Sequence, residues 1–252
     1  MNVFITGASS GIGAALAREF ASRGATLGLL ARRGDLLDAL IEELPGRHLA
    51  YVVDVTETEH LLEAARRFEA STGGADIVIA NAGISVGTLT EYGQDLPVFK
   101  RVLATNLLAA VCTFHPFVAP MQRRGSGTLA AIASVAGVRG LPGAGAYCAS
   151  KAALISYCES LRVELRASGV RVVTIAPGFI RTPMTADNPY PMPFLMDVER
   201  FAQRAAHAIL RGTSFKVIPW PMAWLARLMR VVPNGVFDRV VQRRARKPRQ
   251  SS

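Results

Sequence analysis

The 252-residue chain has only three cysteines, Cys112, Cys148 and Cys158. The number is odd and the spacing suits neither a disulfide framework nor a zinc site, so a reduced, cytoplasmic protein without structural disulfides is expected. Four histidines, at 48, 60, 115 and 207, are scattered, and no metal site is expected. No uninterrupted apolar run approaches the ~18 residues of a spanning helix. The first residues, Met-Asn-Val-Phe-Ile-Thr-Gly, lack a basic region and a long apolar stretch, so no signal peptide is expected. Acid is missing from the end of the chain. Arg239, Arg243, Arg244, Arg246, Lys247 and Arg249 carry six of the net +10 charges, leaving +4 on the preceding 238 residues. The basic character therefore belongs largely to a tail, which reads as a solvated end. No aromatic interleaving or motif makes it a nucleic-acid arm.

What is present is an alternation. Apolar runs at Asn2–Thr6, Thr26–Ala31, Leu49–Val53, Ile77–Ala80, Leu129–Ala133 and Val170–Ile175 are separated by stretches with helical periodicity. The runs are continuous rather than alternating, as in strands buried on both faces. A doubly wound α/β domain with a parallel sheet covered by helices on both sides follows. The longest helix is predicted from about Val98 to Met121, with Pro116 kinking or breaking it. No linker or repeat divides residues 1–218. A segment at about 184–198, rich in Pro189, Pro191, Pro193, Tyr190, Met192, Phe194, Leu195 and Met196, is expected to cover an apolar pocket. Residues 219–252 form an amphipathic Trp/Leu/Met/Arg helix and the basic tail. That extension reads as a subunit contact, a pocket wall or a helix lying on anionic lipid.

Between the first strand and first helix lies Gly7-Ala8-Ser9-Ser10-Gly11-Ile12-Gly13. Small residues there let the backbone approach a pyrophosphate at the positive end of a helix. An acid at the end of the second strand would bind the ribose hydroxyls of NAD. Here stand Ala31-Arg32-Arg33, and arginines suit a 2′-phosphate, which favours NADP over NAD; the alternative is a pair of solvated turn residues. Asp54 is placed to reach the adenine edge or to act as a turn acid. Tyr147 and Lys151 are one helical turn apart and share a face. A phenol of pKa near ~10 beside an ammonium is lowered toward neutrality and can exchange a proton with a carbonyl or alcohol.

With these pieces, Thr6-Gly7-Ala8-Ser9-Ser10-Gly11-Ile12-Gly13, Asp54-Val55, Asn81-Ala82-Gly83, Asn106, Ser134, Tyr147-x-x-x-Lys151 and Pro177-Gly178, residues 1–185 resemble the short-chain dehydrogenase/reductase family. The resemblance implies a Rossmann domain with a seven-stranded sheet of order 3-2-1-4-5-6-7. It implies that Tyr147 is the general acid/base, that Lys151 lowers its pKa and bonds the nicotinamide ribose, and that Ser134 bonds the substrate oxygen. Asn106 would hold a water joining Lys151 to solvent; the alternatives are an internal polar residue at a helix kink for Asn106 and a strand-end cap for Ser134. Asn81, Ala82 and Gly83 would touch the cofactor, although Ala80 stands where the family usually has Asn. Pro177, Gly178, Ile180 and Thr182 would meet the nicotinamide carboxamide. The expected function is hydride transfer between NADP(H) and a carbonyl or secondary alcohol, most simply reduction of a hydrophobic ketone or acyl-type small molecule. A homodimer or homotetramer built from the helices after strands four and five is implied. The competing reading is a catalytically silent cofactor-binding regulator or membrane-surface protein on the same fold, cytoplasmic or on the cytoplasmic face of a membrane.

Overall fold

A computed structural model describes residues 1–242 and 246–249; Arg243 and Arg244 of the basic tail lie outside the described residues. Seven parallel strands form the sheet: β1 (Asn2–Thr6), β2 (Thr26–Ala31), β3 (Leu49–Val52), β4 (Ile77–Ala80), β5 (Gly127–Ile132), β6 (Val170–Pro177) and β9 (Phe215–Ile218). Their order is β3-β2-β1-β4-β5-β6-β9. This is the expected order, with the seventh sheet strand numbered ninth because a two-stranded ribbon, β7 (Ile180–Arg181) and β8 (Met196–Asp197), precedes it.

Side chains alternate across the strands and build a core on each face. Val3 and Ile5 of β1 join α1 (Gly11–Ser22), α2 (Gly34–Glu43) and α8 (Val198–Arg211) on one side. Phe4 points the other way, into a layer with α3 (Thr58–Thr72), α5 (Ala109–Arg124) and α6 (Gly145–Glu164). There Phe4 meets the rings of Tyr51, Phe68 and Phe117 at centroid distances of 6.0, 5.4 and 5.3 Å. Each fully buried phenylalanine contributes roughly 1.5–3 kcal/mol. These layers fix where the strands end, and the functional loops leave from those ends.

The long helix departs from expectation. Helix α4 (Asp95–Leu103) runs through a π turn at Ala104–Leu108 directly into α5, and α5 continues past Pro116 and Pro120. Phe114, Phe117 and Met121 are fully buried around Pro116. Their packing outweighs the ~3 kcal/mol that an internal proline costs. The irregularity falls instead at the π turn, which turns Asn106 inward. By length and composition, Asp95–Arg124 taken as one thirty-residue helix is long and apolar enough to cross a membrane. In this fold it packs against α3, α6 and the sheet.

Beyond β9 the chain forms α9 (Trp220–Val231) and α10 (Asn234–Val241). Met222 and Ala226 on α9 are buried, with Met222 packed against Val135, Ala176 and Val217.

Candidate active site

The glycine loop is shaped for close approach. Gly7 and Gly11 have φ of +67° and +55°, a region that L side chains rarely enter. A Cβ on Gly13 would stand 2.2 Å from the Gly7 carbonyl oxygen, so only glycine fits. Asn81 rivets this loop to the end of β4: its Nδ2 donates to the carbonyls of Thr6 (2.9 Å) and Gly7 (3.1 Å). The Thr6 hydroxyl accepts from the backbone N–H of Asn81 and Ala82. The cradle is thus preorganised, and Ile12 packs partly against the core behind it. Across the cradle, Thr182 lies within van der Waals range of the Gly11 position and caps the short helix α7 (Pro183–Ala186). The loop and the segment after β6 therefore form two walls of one cleft at the C-terminal edge of the sheet, the edge where open α/β sheets bind ligands.

At the loop's rim the arginines divide. Arg33 Nη2 donates to the hydroxyls of Ser9 (3.0 Å) and Ser10 (2.8 Å). Arg32 lies 3.5 Å from the Asp54 carboxylate. Asp54 also accepts from the Thr56 backbone N–H and hydroxyl. Partial burial works against that carboxylate, yet the Thr56 bonds and Arg32 together hold its pKa below the ordinary range. Asp54 thus makes the turn and anchors an arginine. The Val55 side chain is buried in the core and contributes packing.

Four polar residues were expected to form the catalytic group, and the structure gathers them. Tyr147 is in the first turn of α6, and the Ser134 hydroxyl is near enough to favour its ionised phenolate. Ser134 also accepts from the Ala136 backbone N–H at 3.1 Å, capping the turn after β5 as the structural alternative foresaw. Lys151 Nζ donates to the Ile132 carbonyl at 2.8 Å and sits 6.0 Å from the centre of the Tyr147 ring. Burial lowers the Lys151 pKa to about 8. Burial also raises the Tyr147 phenol above its ordinary value, opposed by the Ser134 hydroxyl and reinforced by Cys148 and Tyr190. This reverses the direction expected for Tyr147. Lys151 is not among the groups that shift the phenol, and desolvation of the phenol decides the direction.

Asn106 is buried and clamps the loop after β4: its Oδ1 accepts from Ile84 N–H (2.8 Å) and its Nδ2 donates to Ile84 O (2.9 Å). The same Nδ2 reaches Ser150 Oγ at 3.0 Å, and Ser150 in turn donates to the Tyr147 carbonyl. Ser150, which motif reading passed over, is the post between Asn106 and the Tyr147–Lys151 turn. Its position directly before Lys151 was the only available signal. Gly83 lies between Asn106 and Lys151, since a Cβ there would meet Asn106 Oδ1 at 3.2 Å and Lys151 Nζ at 3.5 Å.

The covering segment leaves and returns through the β7–β8 ribbon, where Ile180 pairs with Met196 and Arg181 binds Asp197 at 3.0 Å. Tyr190 stacks against Phe179 with centroids 6.2 Å apart and lies close enough to influence Tyr147. Pro177 and Ile180 are buried, and Gly178 donates to Ile218 O while its open side faces Met222.

The described end of the tail is docked, contrary to the solvated end expected. Arg249 makes two bonds to Asp95, at 2.8 and 3.1 Å, and lies 3.7 Å from the centre of the Tyr92 ring. Gly87 N–H donates to Pro248 O, Arg246 lies against Gly143, and Lys247 Nζ reaches Met184 O at 3.4 Å. These contacts carry the tail across loops that follow β4, β5 and β6. Arg139 supports the extension from below, donating to the carbonyls of Met229 and Val232 and to Asn234. Beneath Arg249 lies a cavity of about 330 Å³ lined by Thr88, Tyr92, Asp95, Phe99 and Gly145, among others.

A doubly wound sheet with a glycine cradle beside a Tyr–Ser–Lys group defines a nucleotide-dependent oxidoreductase scaffold. The short chain dehydrogenase model matches residues 1–191, and the chain belongs to that family. It is 39% identical over 242 residues to an uncharacterized oxidoreductase from Myxococcus xanthus, covering 95% of each chain. A 3-ketoacyl-ACP reductase from Sinorhizobium meliloti superposes with a TM-score of 0.80 at 28% identity, over 89% of this chain and 100% of that one. L-Sorbose reductase from Gluconobacter frateurii, solved with NADPH and L-sorbose, gives 0.77 at 29% identity, over 86% and 94%.

Proposed function

We propose that the protein is an NADP(H)-dependent carbonyl reductase acting on a hydrophobic ketone or acyl-type substrate. The observation that carries this reading is the convergence of the Tyr147 and Ser134 hydroxyls beside Lys151, at the sheet edge that also bears the glycine cradle. The cradle fits a dinucleotide: Gly7, Gly11 and Gly13 would receive the pyrophosphate, and Gly83, Lys151, Gly178 and Thr182 would line the nicotinamide end. When bound, the cofactor supplies the hydride. Tyr147 gives its hydroxyl proton to the oxygen of the substrate carbonyl. Its raised pKa keeps the proton in place until the carbonyl accepts it, which suits the reductive direction. Ser134 donates a hydrogen bond to the same oxygen and stabilises the charge that develops there. Asn106 and Ser150 act by position, holding the first turn of α6 against the loop after β4.

Arg33 supports the choice of NADP. Its guanidinium, with the Ser9 and Ser10 hydroxyls, makes a cluster of donors beside the loop, and no acid occupies the end of β2 to bind bare ribose hydroxyls. The S. meliloti relative's ketoacyl substrate and the apolar residues of the covering segment support the substrate class. Steady-state kinetics with NADPH and NADH across ketones of increasing chain length test the reading. Arg33→Ala is expected to raise KM for NADPH about tenfold or more and to leave that for NADH nearly unchanged. Equal losses with both cofactors would remove the NADP assignment.

A further inference from the structure

Both tryptophans of the chain are on α9, and both face out. The helix buries Met222 and Ala226 against the body, while Trp220, Trp224, Leu228 and Val231 are 66%, 64%, 58% and 76% exposed. Their spacing of four, four and three residues draws one continuous stripe along the outer face. A patch of this size and aromatic content on a chain surface marks a contact site. At the start of the helix the stripe adjoins a groove of about 290 Å³, lined by exposed Phe194 of the covering segment together with Trp220, Arg200 and Arg204. Arg227 lies over the Trp224 ring, 5.5 Å from its centre, and Arg230 follows on the next turn. From Trp220 to Val231 there is no aspartate or glutamate. The one carboxylate lining the groove, Asp197, is paired with Arg181.

Charge decides between occupants. A two-fold contact between copies would set α9 against the same surface of its partner and bring Arg227 and Arg230 near their own copies, with no acid on the helix to pair them. A lipid surface bearing phosphates pairs them, and tryptophan and leucine settle at the headgroup boundary. We propose that α9 lies flat on an anionic bilayer, with Trp220, Trp224, Leu228 and Val231 in the interface and Arg227, Arg230, Arg200 and Arg204 at the level of the phosphates. This does not depend on the reductase reading.

The two tryptophans report the contact directly. Full-length protein is mixed with vesicles of phosphatidylcholine alone or of phosphatidylcholine with phosphatidylglycerol, and emission and flotation are followed. The expected result is a blue shift and flotation with the anionic vesicles, about tenfold stronger than with neutral ones and weakened by salt. The paired change Trp220→Ser and Trp224→Ser is expected to abolish flotation while the unfolding temperature holds, and Arg227→Glu with Arg230→Glu to weaken it about tenfold. The wild-type emission needs no variant, so poor folding of a mutant leaves the test intact. No blue shift and no flotation would overturn the proposal, as would equal binding to neutral vesicles. A dimer in sedimentation that disperses on Trp224→Ser would overturn it in favour of a second copy.

Discussion

The catalytic group and the C-terminal extension are held by different kinds of contact. Asn81, Asn106, Ser134 and Lys151 are each bonded to backbone of a neighbouring strand or loop, and the group stands on buried helices and strands. The extension beyond β9 is fastened by arginines reaching far along the chain, Arg139 to residues 229–234 and Arg249 to Asp95. The first arrangement fixes reacting atoms, and backbone partners leave it little freedom. The second rests on a few exchangeable side chains. Backbone anchoring and long-reach arginine anchoring are thereby separate materials within one chain.

Tyr147→Phe removes the proton donor and tests the first region most severely. Turnover is expected to fall by about 10³-fold or more while NADPH affinity, followed by fluorescence titration, stays within about threefold. Wild-type turnover would break the distinction outright. Asn106→Leu leaves Ile84 and Ser150 without their partner inside the protein; a loss of about 2–3 kcal/mol in urea unfolding is expected, together with reduced turnover. Lys151→Met separates chemistry from stability. Because the folded-state pKa of Lys151 is lowered to about 8 from 10.5, the unfolded chain binds more protons between those values. Wild-type stability should therefore gain from this group as pH rises from 8 to 10.5. The methionine variant should lack that gain, be about 1–2 kcal/mol more stable at pH 7 and be inactive. The smallest effect is expected from Arg249→Ala, which releases the tail: kcat for a small ketone should hold, while KM for a long-chain one shifts about two- to fivefold. An equal effect on both substrates would mean that the tail supports the fold rather than the cleft.

Much of the first region was legible in the sequence because several of its parts lie in short local motifs. Continuous apolar runs gave the parallel sheet, the family resemblance gave its strand order, the glycine loop gave a cradle, and Tyr147 with Lys151 share a face at one-turn spacing. What escaped depends on long-range packing. Pro116 reads as a break, yet buried Phe114 and Phe117 carry the helix through it. Tyr147 next to a lysine reads as a lowered pKa, yet burial wins. Asp95 and Arg249 are 154 residues apart, and nothing local in either links them. Ser150 looks like an ordinary helix serine until Asn106 is seen to reach it.

The π turn at Ala104–Leu108 fixes the length of the protein at that point. The wide turn takes up one residue more than an ordinary helical turn, so winding the same residues as plain α-helix would rotate everything before it by about 100° relative to α5. Val98 and Val102 would then leave their places against Ala146, and Asp95 would no longer face Arg249. A residue deleted elsewhere in the long helix would shift α4 against α5 and disturb the tail's anchorage, whereas one deleted within the turn is taken up by closing it to ordinary α-helix, at the cost of the inward turn of Asn106. A deletion scan along residues 95–124 should accordingly find stability best retained at the π turn.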